Sequence, residues 1–285
     1  MKRVLALILS CALLPCVSGA DEQTSSNSIQ IAVVQQESNP GKPEQNRNKA
    51  LRFAAEALGK GADIVLFHEE MLLGCVENPL ESAEPMDGPT TRAFQRLLQG
   101  RRSLIIYGLT EKDGDKCFIS ATVVSEHGVV ANYHKTHLFW MAKGARYEPA
   151  LYRPGDRLVT FDFSGYRCGL MICYDGDFPE MTRAYANRGC QLLFWLNNRP
   201  SRGYEEVKML ALQNSMIMAT ACCCGRDESG RLCPGGSNIT DATGKLLAEI
   251  WDHEGVILAD VSPGSVPQLR LQNPLYRGQR PELYR

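Results

Sequence analysis

The chain has 285 residues, 44% apolar and 22% charged, with a formal net charge of −1. These proportions suit a globular protein that buries a core without staples, and they leave no basic surplus for nucleic acid or an anionic membrane. The length admits two average domains or one large α/β domain.

Met1-Lys2-Arg3 gives a positive start, and Val4 to Leu14 is apolar apart from Ser10 and Cys11. Ser18-Gly19-Ala20 then supplies small residues, so residues 1–20 read as a secretory signal peptide cut after Ala20. The run is too short to cross ~30 Å of hydrocarbon, so no integral membrane span is expected. A lipid anchor through Cys11 or Cys16 would need a small-residue box that neither carries. The exported chain, residues 21–285, then has 29 basic against 32 acidic side chains.

From Ile29 to Val34 an apolar run reads as a strand, broken by Asn39-Pro40-Gly41. Ala50, Leu51, Phe53, Ala54, Ala57 and Leu58 recur at helical spacing up to Gly59. Ile64 to Phe67 is a buried strand that runs straight into His68-Glu69-Glu70. A helix over Thr90 to Leu98 precedes a strand over Leu104 to Tyr107, and Phe118 to Val124 and Val129 to Tyr133 form a hairpin about His127-Gly128. Strands follow at Leu158 to Phe163 and Arg167 to Ile172.

Asp177-Phe178-Pro179-Glu180 has the form of a helix start, with Asp177 as cap, for a helix running to about Arg188. Cys190 to Leu196 and Met216 to Cys224 are buried strands flanking a helix over Tyr204 to Ser215. Gly236 to Thr240, Leu246 to Ile250 and Gly255 to Val261 close the series. Beyond Pro263 periodicity stops, and Pro267, Pro274 and Pro281 imply an extended tail, residues 262–285, suited to lie across a partner subunit. No linker divides the chain, so one domain with α/β layers and mixed sheets is expected.

Of eleven cysteines, nine lie beyond Ala20, and an odd count leaves at least one unpaired within a chain. Cys222-Cys223-Cys224 would alternate faces on a strand and cannot share one metal. There is no C-x-x-C, and His68, His134 and His137 make a poor zinc signature, so no metal or other cofactor is expected.

Three strands end in a reactive side chain. Glu69 follows Ile64–Phe67, Lys135 follows Val129–Tyr133, and Cys173 follows Gly169–Ile172. Strand ends are where open α/β sheets meet ligands. A thiol, a carboxylate to take its proton and an ammonium to hold an oxyanion make an acyl-transfer set. Each alone would more often be a core or solvated residue.

Phe67-His68-Glu69…Gly74, Tyr133-His134-Lys135-Thr136-His137-Leu138 and Cys173-Tyr174-Asp175…Phe178-Pro179-Glu180 resemble the three signature segments of the nitrilase superfamily, the carbon–nitrogen hydrolases. Glu148 resembles that family's second glutamate. The resemblance runs from about Ile29 to Asp260 and implies a four-layer α-β-β-α sandwich, paired into a homodimer or larger assembly. It assigns Cys173 as nucleophile, Glu69 as general base and acid, Lys135 as stabiliser of the tetrahedral intermediate, Glu148 as its helper, and the backbone N–H of Tyr174 as second oxyanion donor.

The family usually has proline where this chain has His68, a departure expected to loosen the approach to Glu69 and to make Glu70 a rival; spacing to Gly74 favours Glu69. Tyr174-Asp175 replaces the Trp-Glu usual in true nitrile hydrolases, which tilts the expectation toward a small amide or N-carbamoyl (ureido) substrate. Asn197 and Arg199, after a strand, are candidate pocket residues, with Arg199 or Arg202 placed either to bind a substrate carboxylate or to make surface contacts. The rival classes are a nitrile hydrolase and a non-catalytic binding protein on the same scaffold.

Overall fold

The computed structural model describes residues 28–283 apart from 38, 74–78, 142–146, 199–203, 227–229 and 231. Residues 1–27, where the signal peptide was expected, and Cys75, Arg199 and Arg202 lie outside the described residues. In chain order the elements are β1 Ile29–Gln35, α1 Pro43–Gly59, β2 Ile64–Leu66, α2 Pro89–Leu97, β3 Leu104–Asp113, β4 Lys116–Ser125 and β5 Gly128–His134. They continue with β6 Thr160–Phe163, β7 Tyr166–Ile172, α3 Pro179–Asn187, β8 Leu192–Asn197, α4 Tyr204–Asn214, β9 Ile217–Cys222, β10 Cys224–Arg226, β11 Leu232–Thr240, β12 Leu246–Trp251 and β13 Gly255–Val261. Two short helices, α5 Val266–Gln272 and α6 Pro274–Arg277, follow.

Two mixed sheets result. One has the order β13-β1-β2-β3-β4-β5; the other runs β10-β11-β9-β8-β7-β6, with β12 on β11. Within them β1, β2 and β3 are parallel, as are β7, β8 and β9. Strands covered on both faces need apolar side chains at every position, and β2, β8 and β9 have only buried residues.

Strand alternation sorts β1 cleanly. Ile29, Ile31 and Val33 join the core shared with Leu170, Ile172, Phe194 and Leu196 of the second sheet. Ala32 and Val34 face the other way, onto Ala50, Ala54 and Ala57 of α1. The small alanine face lets α1 lie close on the sheet, while α3 and α4 cover the second sheet through Tyr185, Val207 and Ala211. The layers are therefore α-β-β-α, as the sequence implied.

Two expectations are corrected. The helix placed from Asp177 begins at Pro179 with Phe178 as its cap residue, and a one-turn 3-10 helix, Cys173–Asp177, intervenes. The Asp175 carboxylate causes this by accepting the Ile172 N–H at 3.0 Å, which folds the chain back on itself.

The segment after Pro263 is not extended. Val266 is buried, and Arg270 Nε donates to Asn214 O at 3.1 Å. Asn273 Nδ2 donates to Leu212 O and to Ser215 Oγ, both at 2.7 Å, while its Oδ1 accepts the Leu275 N–H and caps α6. The guanidinium groups of Arg183 and Arg270 each lie over the Tyr276 ring, 5.3 Å from its centroid. The tail docks on its own chain because these side chains satisfy backbone carbonyls in the last turn of α4 and, through Arg270 Nη2, that of Cys190 ahead of β8.

Candidate active site

The parallel strands β2, β7 and β8 deliver their C-terminal ends to one place, where β5 also ends. After β2 the chain is held against β3 by the Phe67 N–H on Ile106 O and the Gly108 N–H on His68 O. A Cβ at Gly108 would stand 2.5 Å from Glu69 Cα, so only glycine lets the Glu69 loop lie this close to β3. Glu69 is 2% exposed; its Oε2 accepts the Asn198 N–H at 2.9 Å and its Oε1 accepts Lys135 Nζ at 2.8 Å.

Lys135 is fully buried just past β5, its own N–H donated to Ile119 O. Its Nζ donates a second bond to Glu148 Oε1, also at 2.8 Å. Glu148 opens a 3-10 turn and is fixed through Oε2 by the Phe139 N–H at 2.7 Å. Burial opposes the charge on Lys135, but Glu69, Cys173 and Glu148 together hold its pKa well above the ordinary lysine value. Burial lifts the Glu148 carboxyl against the pull of Lys135, with Glu69 adding to the rise.

Cys173 sits just past β7 in the left-handed region, φ +43°, an uncommon conformation for a residue with a Cβ. It lies within electrostatic reach of Lys135 and is partly exposed. Two devices hold this elbow. Trp195 Nε1 donates to Cys173 O at 3.1 Å, and Gly176 lets the indole lie flush, since a Cβ there would meet Trp195 Cζ2 at 2.0 Å. The buried Asp175 accepts Tyr133 Oη at 2.7 Å, Thr136 Oγ1 at 3.0 Å and the His137 N–H at 3.0 Å. One carboxylate thus ties the turn bearing Cys173 to the loop bearing Lys135.

Tyr174 packs edge-on against Phe139 and Phe178, and His137 stacks on Phe178. Asn197 is buried at the end of β8, its amide turned back toward Trp195 O at 3.4 Å. Glu69, Lys135, Glu148 and Cys173 are brought together; Tyr174 and Asn197 lie on adjoining turns; Arg199 is outside the described residues. The structural parts of Asp175, Asn198, Trp195 and Gly108 went unnoticed in the sequence, although Asp175 stands inside the motif that contains the thiol.

His68 does not loosen the approach. It is fully buried, and its Nδ1 donates to Glu69 O at 2.8 Å, which fixes the Nδ1–H tautomer because a carbonyl can only accept. Burial lowers its pKa to about 4, Lys49 contributing. The unfolded chain therefore binds a proton that the native state refuses between pH 6.5 and 4. The fold's stability is whole above pH 6.5 and falls as pH drops through that window, by up to about 3 kcal/mol. In urea titrations, His68→Leu is expected to flatten the acid limb between pH 6.5 and 4; an unaltered slope would refute this account.

Two mixed sheets between helix layers, with a thiol, two carboxylates and a shared ammonium at converging strand ends, define an enzyme of hydrolytic acyl transfer. Residues 30–271 match the carbon-nitrogen hydrolase family, and the chain belongs to it. It is 30% identical over 273 residues to the omega-amidase NIT2 of Homo sapiens, covering 90% of this chain and 97% of that protein. It is 28% identical to an (R)-stereoselective amidase of Pseudomonas sp, over 78% of this chain and 80% of that protein. Among solved structures, XC1258 from Xanthomonas campestris, a CN-hydrolase superfamily protein with an arsenic adduct in its active site, aligns with a TM-score of 0.80 at 23% identity, covering 89% of this chain and 97% of that one. An amidase from Nesterenkonia sp. aligns at 0.76 and 24% identity, covering 90% and 95% respectively. The protein is a carbon–nitrogen hydrolase.

Proposed function

We propose that the protein is an exported amidase for small primary amides, with Cys173 as nucleophile. The observation that carries this is Lys135 Nζ bonded to Glu69 and Glu148 at 2.8 Å each, within electrostatic reach of Cys173. Glu69 takes the thiol proton, and sulfur attacks the carbonyl carbon. The oxyanion that forms is stabilised by the Lys135 ammonium and the Tyr174 N–H. As the C–N bond breaks, Glu69 returns the proton and ammonia leaves a thioester. Water, deprotonated by Glu69, then attacks that thioester and frees the acid and the thiol.

The amide preference is supported by Tyr174-Asp175 after the thiol and by amidases among the relatives. Export is supported by the charged start, apolar run and small residues ending at Ala20. A homodimer is supported by the apolar side chains that α5 and α6 leave uncovered, Leu271 and Leu275.

A screen of nitriles, primary amides and N-carbamoyl amino acids by ammonia release tests the substrate class. Primary amides are expected to turn over; release from nitriles or carbamoyl compounds alone would reject the proposal. N-terminal sequencing of the protein recovered outside the cytoplasm should begin at Asp21.

A further inference from the structure

Beside the base stands a second acid that the reaction above does not use. Glu70 adopts φ +46°, a left-handed backbone uncommon for a residue with a Cβ. Its Oε1 accepts Thr110 Oγ1 at 2.6 Å and Tyr152 Oη at 2.7 Å. Thr110 belongs to β3, the strand against which Gly108 admits the base loop. Tyr152 belongs to the turn opened by Glu148 and donates its N–H to Glu148 O at 2.9 Å. Glu70 therefore bridges the loop carrying Glu69 to the turn carrying Glu148, the two carboxylates that grip Lys135 from either side.

We propose that Glu70 is a positioning residue: through Tyr152 and Thr110 it sets the spacing of Glu69 and Glu148 about Lys135, and its own charge controls how readily the Cys173 thiol ionises, a role that rests on the hydrolysis proposed for this site. The groups facing it are Glu69 on its own loop, Glu148 and Tyr152 on the neighbouring turn, and the uncharged Thr110 on β3. Burial, then the charges of Glu69 and Glu148, lift its carboxyl to about 7 against the bonds from Thr110 and Tyr152. Burial and the proximity of Glu70 keep Tyr152 neutral.

Ionisation of Glu70 adds one negative charge to the acids grouped about Lys135 and brings no cation with it, so formation of the Cys173 thiolate is disfavoured. Alkylation of Cys173 should then rise less steeply with pH than a lone thiol allows.

The experiment is iodoacetamide alkylation of the full native chain, read by peptide mass spectrometry at Cys173 at pH 6, 7 and 8, with ammonia release measured in parallel. The ratio of the Glu70→Gln rate to the parent rate is expected to grow by about fivefold from pH 6 to pH 8, because glutamine keeps the two accepted bonds and never charges. Tyr152→Phe is expected to lower kcat by about tenfold with KM within about twofold, the mark of misplaced catalytic groups rather than lost binding. If Tyr152→Phe fails to fold, Thr110→Val removes the other donor and carries the same expectation.

A ratio constant across pH overturns the control by charge, and an unchanged kcat in the donor variant overturns the positioning. Should the parent turn over no amide, the alkylation ratio still decides the role of Glu70, so the two proposals fail separately.

Discussion

Cys173→Ala is expected to lower amide turnover by at least about 10⁴-fold while leaving the fold and Lys135's two ion pairs in place. The size follows from what the sulfur does. It supplies the only bond that lets ammonia leave before water enters, and neither Glu69 nor Lys135 can form that acyl bond. The fold should survive because the elbow is held by groups other than the thiol: Trp195 on the carbonyl of residue 173, and Asp175 on the Ile172 N–H. Incubating the parent with a slow amide should add the acyl mass to the peptide containing Cys173, and the variant should gain none. Three of the buried thiols, Cys168, Cys190 and Cys224, give a built-in control. Burial pushes Cys190 up to about 11 and Cys224 up to about 12, and lifts Cys168 as well, so none offers thiolate near neutral pH. Full turnover by Cys173→Ala, or an adduct carried by another cysteine, would sink the proposed mechanism.

The sequence carried the positions of Glu69 and Cys173 because each closely follows an uninterrupted apolar run, whereas Lys135 and Glu148 stood out only through the family resemblance. Runs such as Ile64–Leu66 and Leu192–Leu196 need burial on both faces, and a charged or nucleophilic residue directly after one has to lie at a sheet edge. What holds those groups was less legible. Asp175 lies between the thiol and a helix, where an acidic residue ordinarily reads as a cap, yet it serves backbone and side chains from residues 133 to 137. That use depends on a meeting of segments some forty residues apart, which no local pattern encodes.

The tail shows the opposite difficulty. About three turns of helix are divided at Asn273-Pro274 into pieces of seven and four residues, too short for a 3.6-residue period to emerge. The anchors are polar, Arg270 and Asn273, so hydropathy does not mark them. His68 misled for a related reason. Proline restricts φ through its ring, whereas here buried hydrogen bonds on Glu69 O and His68 O fix the same approach.

The second large effect is expected at Lys135. Its side chain is fully buried, and of its two carboxylate partners Glu69 is buried and Glu148 largely covered. Lys135→Met fills nearly the same volume but leaves Glu69 and Glu148 buried around no cation. Breaking a buried pair on one side costs about 3–5 kcal/mol, most of it the exposed self-energy of the remaining charge. Turnover should fall by about 10²-fold to 10³-fold through loss of the oxyanion partner.

The pH dependence separates this from simple cavity formation. In the parent, Lys135 titrates well above its ordinary value, so its contribution is constant from pH 5 to pH 8. In the variant the carboxylates, with burial and then Glu69 already raising Glu148, would take folded-state pKa values above their unfolded ones. A raised folded pKa favours the native state at low pH and is a growing penalty as pH rises through it. The stability deficit, measured by urea unfolding, should therefore be largest near pH 8 and shrink toward pH 5. A deficit equal at both ends would show that packing, rather than the charge held between two glutamates, is what Lys135 contributes.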